Sequence, residues 1–142
     1  MTPELDSIIR GAIAGSPLAG LLGLRVETIE ADRVRLRLPY RPEVTTVGDL
    51  VHGGAIAALV DAAATAAAWS GADLSRNPRG TTIGLTLNYL AGARGEDLTA
   101  TAQVIQRGKS VLVCDVDVRS ANGVAVSRAL VTYKLDHRDP SR

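Results

Sequence analysis

Residues 53–70 are the longest apolar run in the chain, and half of them are alanine: Gly53-Gly54-Ala55-Ile56-Ala57-Ala58-Leu59-Val60-Asp61-Ala62-Ala63-Ala64-Thr65-Ala66-Ala67-Ala68-Trp69-Ser70. A helix that is apolar on every side is normally buried. Asp61 is the only ionisable side chain between His52 and Asp73. An unpaired carboxylate is expensive to bury, so it needs a partner, a proton or a task. Asp61 is therefore the leading candidate for chemistry, ahead of a purely structural role at a helix–helix contact.

The 142 residues fit one domain, 1–142, with room for a sizeable core. With no Phe, one Trp and three Tyr, that core has to be built from Ala, Val, Leu and Ile. Small side chains let backbones approach closely, which suits a helix held inside a curved sheet. The formal net charge is +1 and no basic block stands out, so nucleic acid is not an expected partner. Asp61 interrupts the one long apolar stretch, and a charge at the centre of a membrane span is costly, so no membrane span is expected. The N-terminus lacks a basic region followed by an apolar run, the pattern of a secretory signal. Cys114 is alone and there are only two His, so neither an internal disulfide nor a zinc site is expected. These features together point to a cytoplasmic protein. Cys114 is expected to fill core space.

Residues 1–20 read as a helical segment. Thr2-Pro3-Glu4 offers a capping hydroxyl, a proline for the first turn and an acidic residue. Leu5, Ile8, Ile9, Ala12 and Ile13 form an amphipathic stripe, Gly15-Ser16-Pro17 breaks it, and 18–22 add a further turn. A strand is predicted over 24–30. Over 33–38, Arg33-Val34-Arg35-Leu36-Arg37-Leu38 alternates without exception, the mark of a half-buried strand whose arginines face out. Ala31-Asp32 is the turn between them. After a loop over 39–50 comes the alanine helix, then a polar connection over 71–80. Strands follow at about 81–90, 97–106, 110–119 and 124–135, with turns at Gly108 and Asn122-Gly123. In the strand over 81–90, simple alternation puts Ile83, Leu85, Leu87 and Tyr89 on one face and Thr82, Gly84, Thr86 and Asn88 on the other. Residues 136–142 read as a frayed polar tail. One long helix among six mostly antiparallel strands gives an α+β domain with the helix covering one sheet face.

The helix N-terminus is a second chemical feature. Free N–H groups at Gly53 and Gly54, with the helix dipole behind them, would polarise a carbonyl and stabilise an oxyanion. Glycine lets a ligand come close to the backbone. Nine residues of ideal helix, from His52 to Asp61, rise about 13.5 Å and end half a turn out of phase, so the two features cannot serve one atom within one chain. Two such helices packed antiparallel about a two-fold axis would bring the N-terminus of one to the middle of the other, giving an obligate dimer with two composite sites. A carboxylate that attacks the carbonyl, or deprotonates a water that does, makes acyl transfer to water the natural reaction.

Val51-His52-Gly53-Gly54 followed by Leu59-Val60-Asp61, with four strands after the helix and a Gly-Lys-Ser turn at 108–110, resembles the hotdog-fold acyl-CoA thioesterases, in the PaaI-like branch of the hydroxybenzoyl-CoA thioesterase superfamily. The resemblance spans about 17–135. It implies a hotdog fold, a long central helix wrapped by the sheet. It also implies an acyl-CoA substrate, no cofactor beyond the CoA of that substrate, no metal, and a homodimer that commonly pairs into a homotetramer. The Gly53 N–H would be the oxyanion donor, and Asp61 of the partner subunit the nucleophile or general base. His52 would fix the loop and the substrate carbonyl, and Thr82 would orient the water. CoA would lie near the turn around Gly108, where Arg107 and Lys109 could meet its phosphates. Gly54, Asn88, Tyr89 and Ser110 complete the implied substrate-binding set. The chain departs from the pattern where many relatives have Asn six residues before the motif histidine and Gly three before it: Thr46 and Asp49 stand there, with Thr45 beside Thr46 and Gly48 one position early. A threonine lacks the paired groups of an amide. Two other functions fit a hotdog domain: a dehydratase or hydratase built on a catalytic His and a helix carboxylate, and a non-catalytic acyl-CoA-binding accessory protein.

Overall fold

A computed structural model of the chain describes residues 1–137. Six strands form one sheet in the order β1-β2-β4-β5-β6-β3, every neighbouring pair antiparallel. They are β1 (Arg25–Glu30), β2 (Arg33–Leu38), β3 (Arg79–Tyr89), β4 (Leu98–Arg107), β5 (Val111–Ser120) and β6 (Ala125–Asp136). The long helix α3 (Gly53–Trp69) lies across the inner face of this sheet, in contact with β2 to β6. This is the α+β hotdog architecture.

The packing follows from side-chain size and alternation. In β2, Val34, Leu36 and Leu38 are buried against the helix side, while Arg33 and Arg35 are exposed and Arg37 is half-buried. Across from them in β4 stand Ala102, Ala100 and Leu98, all fully buried. Alanines on both the sheet and α3 bring the two backbones close, and Leu59 and Val60 fill the remaining space at 0% exposure. The β1–β2 hairpin turns at Asp32, whose φ of 63° lies in the left-handed region that Asp tolerates better than most residues. Trp69 closes the far end of the helix by donating its indole N–H to the Tyr133 hydroxyl at 2.8 Å.

The N-terminal segment is helical as expected, with an unexpected irregularity. Thr2 caps α1 (Pro3–Ile8) by accepting from the Leu5 N–H at 3.2 Å. The helix then widens into a π turn over Ile9–Ile13, closed by the Ala14 N–H on the Ile9 carbonyl at 2.9 Å. Gly15 is required just after it, because a Cβ there would stand 2.6 Å from the Gly11 carbonyl oxygen. Ser16 caps α2 (Pro17–Leu22), and Gly23 ends it with φ of 75°. Leu5, Ile9, Ala14 and Ala19 are buried, so the segment is part of the core.

Three sequence expectations need correction. β3 begins at Arg79, two residues early, after a short 3-10 turn at Leu74–Arg76. It also carries a β-bulge: Thr82 pairs with Tyr133 and Gly84 with Thr132, which leaves Ile83 as the extra residue. The bulge breaks the strict alternation read from sequence and puts Thr82 on the same face as Leu85, Leu87 and Tyr89. Finally, Asp136 is the last residue of β6 rather than the start of a tail; 138–142 lie outside the described residues. Among the described residues no helix is long and apolar enough to cross a membrane.

Cys114 fills core space on β5 at 0% exposure, and burial pushes its thiol up to about 11. The neutral thiol is the form the fold favours. Its contribution to stability is therefore complete below the ordinary thiol range and is lost as pH rises through about 11. In a thiol-reagent assay at pH 8, the folded protein is expected to leave Cys114 unmodified, with one thiol appearing on denaturation.

Candidate active site

The start of α3 is held in place from two sides. His52 is its N-cap, and its Nδ1 accepts the Gly54 N–H at 2.7 Å. An Nδ1 that accepts is unprotonated, so the neutral ring carries its hydrogen on Nε2. Tyr89, at the end of β3, donates its hydroxyl to the Gly53 carbonyl at 2.6 Å. The N–H groups of Ala55 and Ile56 both bond the His52 carbonyl. Among the described residues this leaves the Gly53 N–H without a partner, at the positive end of a 17-residue helix. The expectation of two free N–H groups is thus corrected to one: Gly54 is spent on His52. Gly53 opens onto a cleft that Thr46, Leu50 and Tyr89 also line. A Cβ on Gly53 would stand 3.2 Å from the Tyr89 ring, so glycine preserves this approach.

Two turns along, Asp61 is half-buried and accepts a hydrogen bond on Oδ1 from the Thr82 hydroxyl at 2.7 Å. The bulge at Ile83 makes this contact possible by turning Thr82 toward the helix. Among the described residues Oδ2 accepts nothing, and Asp61 forms no ion pair. Its neighbour Tyr133 is buried and uncharged: desolvation raises its phenol above the ordinary value, the bond with Trp69 opposes this, and the Asp61 charge adds to it. Asp61 therefore presents one anchored and one free oxygen to a cleft.

With α3 starting at Gly53, eight helical steps separate the free N–H from Asp61, about 12 Å along the axis and roughly 80° around it. The phase difference is smaller than the half turn inferred from sequence. The axial distance alone keeps the two from sharing one carbonyl.

The other site candidates are spread over the molecule. Arg107 is not free at the turn: its guanidinium binds Asp32 Oδ1 at 2.7 and 3.1 Å and the Ala68 carbonyl at 3.2 Å, and it packs against Gly71. It ties the β1–β2 turn to the end of α3. Lys109 and Ser110 line a separate cleft with Arg76 and His137. Gly108 serves the turn, since a Cβ there would meet the Val111 carbonyl oxygen at 2.7 Å. Asn88 is exposed beside Arg128 on the opposite face of β3 from Tyr89, away from both Gly53 and Asp61. Of the two loop threonines, Thr45 donates to the Pro42 carbonyl at 2.7 Å, and Thr46 is the one beside Gly53. The Asp32–Arg107 clamp had no sequence signal, because its members are 75 positions apart.

Comparison with known proteins agrees with this architecture. The thioesterase superfamily model matches residues 48–127, which hold α3, Asp61 and Thr82. The chain is 35% identical over 118 residues to VNG_1336C of Halobacterium salinarum, whose name carries an unproven esterase assignment, covering 81% of this chain and 78% of that one. It is 29% identical over 135 residues to the medium/long-chain acyl-CoA thioesterase YigI of Escherichia coli K12, covering 84% and 85%. The crystal structure of a thioesterase family protein from Silicibacter pomeroyi superposes with a TM-score of 0.86 at 24% identity, covering 94% of this chain and 98% of that one, and so shares the fold. The chain belongs to the thioesterase superfamily and is a thioester hydrolase.

Proposed function

We propose that the protein hydrolyses acyl-CoA thioesters to the free acid and CoA, at two equivalent sites that each draw residues from two subunits. The observation that carries this reading is the division of the machinery within one chain. An unpartnered N–H at the start of α3 and a half-anchored carboxylate about 12 Å along it each open onto a cleft, and neither is complete alone.

A second copy supplies what is missing. β3 is an edge strand of 11 residues, and its Ile83, Leu85 and Tyr89 are 55%, 39% and 53% exposed. A long apolar edge of this kind invites pairing. On α3, Ala57, Ala58, Asp61, Ala62 and Thr65 form a half-exposed stripe of small residues. Pairing β3 with β3 about a two-fold axis would set the two helices antiparallel and bring Gly53 of each to Asp61 of the other. Pairing of such dimers into a homotetramer is the further level of assembly that a PaaI-like hotdog protein implies, and a CoA thioester substrate fits a cytoplasmic location.

In this assembly the thioester oxygen sits at the Gly53 N–H of one subunit. Asp61 of the other, held by Thr82, uses its free oxygen to take a proton from water. The hydroxide oxygen bonds to the carbonyl carbon, and the negative charge that forms on the carbonyl oxygen meets the N–H and the helix dipole. Collapse breaks the C–S bond, and the thiolate takes up a proton. Water is the only co-reactant, and no cofactor is called for. The dehydratase alternative requires a histidine paired with the helix carboxylate, whereas His52 is committed to Gly54.

The test is thiol release from acetyl-, octanoyl-, palmitoyl- and benzoyl-CoA, run beside a measurement of mass in solution. Turnover of at least one ester by a dimer or larger assembly is expected. Binding of CoA esters without release of thiol from any of them would give the site to a non-catalytic acyl-CoA-binding protein instead.

A further inference from the structure

Asp61 opens onto a cleft of about 270 Å³ whose far wall is built by the N-terminal segment. Ala12 and Ile13 of the π turn, with Leu18 and Leu22 of α2, face Asp61, Ala62 and Thr65 of α3 across it. None of those four wall residues lies in the stretch that the superfamily model matches, which begins at residue 48. The wall is firmly mounted: Ile9 and Ala19 are buried, and Arg41 donates to the Leu21 carbonyl at the end of α2. The π turn adds a residue to the helical repeat over the cleft, and such turns recur at functional sites.

We propose that this cleft is the acyl subsite, and that it takes an uncharged aliphatic chain of medium length. The inference rests on acyl-CoA hydrolysis at Asp61, since a carbonyl placed at that carboxylate has its acyl group beside the cleft. Three features select the class of chain. The wall is apolar, and among the described residues Asp61 is the only charged one lining the cleft, so a dicarboxylic acyl group would bring a second carboxylate to the first with no described cation to meet it. The Ser16 hydroxyl at its edge accepts the Ala19 N–H at 3.4 Å and so is held as the cap of α2. The volume equals roughly nine waters at ~30 Å³ each, enough for a chain well beyond acetyl. Ala12 and Leu18 are exposed at the rim, so a longer chain would run out into solvent rather than be rejected.

Each methylene added within the cleft should raise kcat/KM by roughly fourfold, until the chain reaches the rim and the gain stops. The experiment measures kcat/KM for butyryl-, octanoyl-, decanoyl- and succinyl-CoA with wild type, Ala12→Phe and Ile13→Ala. Phe at the exposed position 12 fills the cleft from its open side, and Ala at 13 widens it. The expected result is an octanoyl-to-butyryl ratio that falls more than tenfold in Ala12→Phe and a plateau moved to longer chains in Ile13→Ala, with succinyl-CoA poor throughout. A uniform change across all chain lengths in both variants, with the ratio intact, would overturn the subsite while leaving hydrolysis at Asp61 standing. A second measurement decides the subsite even if no ester turns over. Decanoyl-CoA should bind Asp61→Asn at least tenfold more tightly than CoA does, and Ala12→Phe added to that chain should remove the difference. Equal binding of decanoyl-CoA and CoA would overturn the proposal.

Discussion

Asp61→Asn is expected to lower kcat by about a thousandfold on whichever acyl-CoA the wild type uses best, with KM within about threefold of wild type. The substitution is nearly isosteric. The amide oxygen can still accept from the Thr82 hydroxyl, so the contact that fixes the side chain survives. The amide cannot take a proton from water, so the loss falls on the chemical step. Circular dichroism and solution mass should match wild type. A drop of less than tenfold in a folded, correctly assembled variant would make Asp61 a structural residue at a helix contact.

Gly53→Val is expected to cost about a hundredfold or more in kcat/KM, comparable to losing an oxyanion donor. The N–H itself remains, but access to it does not. Even a single added carbon lies 3.2 Å from the Tyr89 Cζ and hydroxyl, and valine brings two more. Tyr89 must move, which breaks its 2.6 Å bond to the Gly53 carbonyl, or the methyl groups must point into the cleft where the thioester would lie. The helix itself should form, because Gly53 has no positive φ for valine to violate. Steady-state kinetics on purified protein decide it, and near-normal kcat/KM would remove the Gly53 N–H from the site.

The sequence carried those parts of the fold that local pattern controls. Arg33 to Leu38 alternates because one face of β2 meets the core and the other does not, and the structure keeps that register residue by residue. The alanine run reads as buried because it is, and Asp61 stands out within it for the same reason. What was illegible depends on pairing between distant segments. The bulge at Ile83 leaves the apolar-polar alternation of β3 intact in the sequence and emerges only when the strand is set against β6, yet it is what turns Thr82 toward Asp61. Arg107, just before a Gly-Lys-Ser turn, has the look of a solvated turn charge, and its true partner Asp32 comes from the other end of the chain. His52, by contrast, is placed by the sequence to cap the helix or support its loop, and it does cap the helix, although Ser, Thr, Asp and Asn dominate that position. The stripe from Leu5 to Ile13 is legible as a helix face. Its placement over the Asp61 cleft follows from the π turn and from α2 packing on α3, which no single segment encodes.

Subunit mixing tests the shared site most directly. Asp61→Asn and Gly53→Val chains, each nearly inactive alone, are unfolded together, refolded at equal concentration and assayed. A mixed dimer has one site with both defects and one with neither, built from the intact Gly53 of one chain and the intact Asp61 of the other. With random pairing, half the dimers are mixed and each has one working site of two, so the mixture should recover about a quarter of wild-type activity. A mixture no more active than its components, with mixed dimers demonstrated by mass, would place Gly53 and Asp61 in sites that do not cross the subunit boundary.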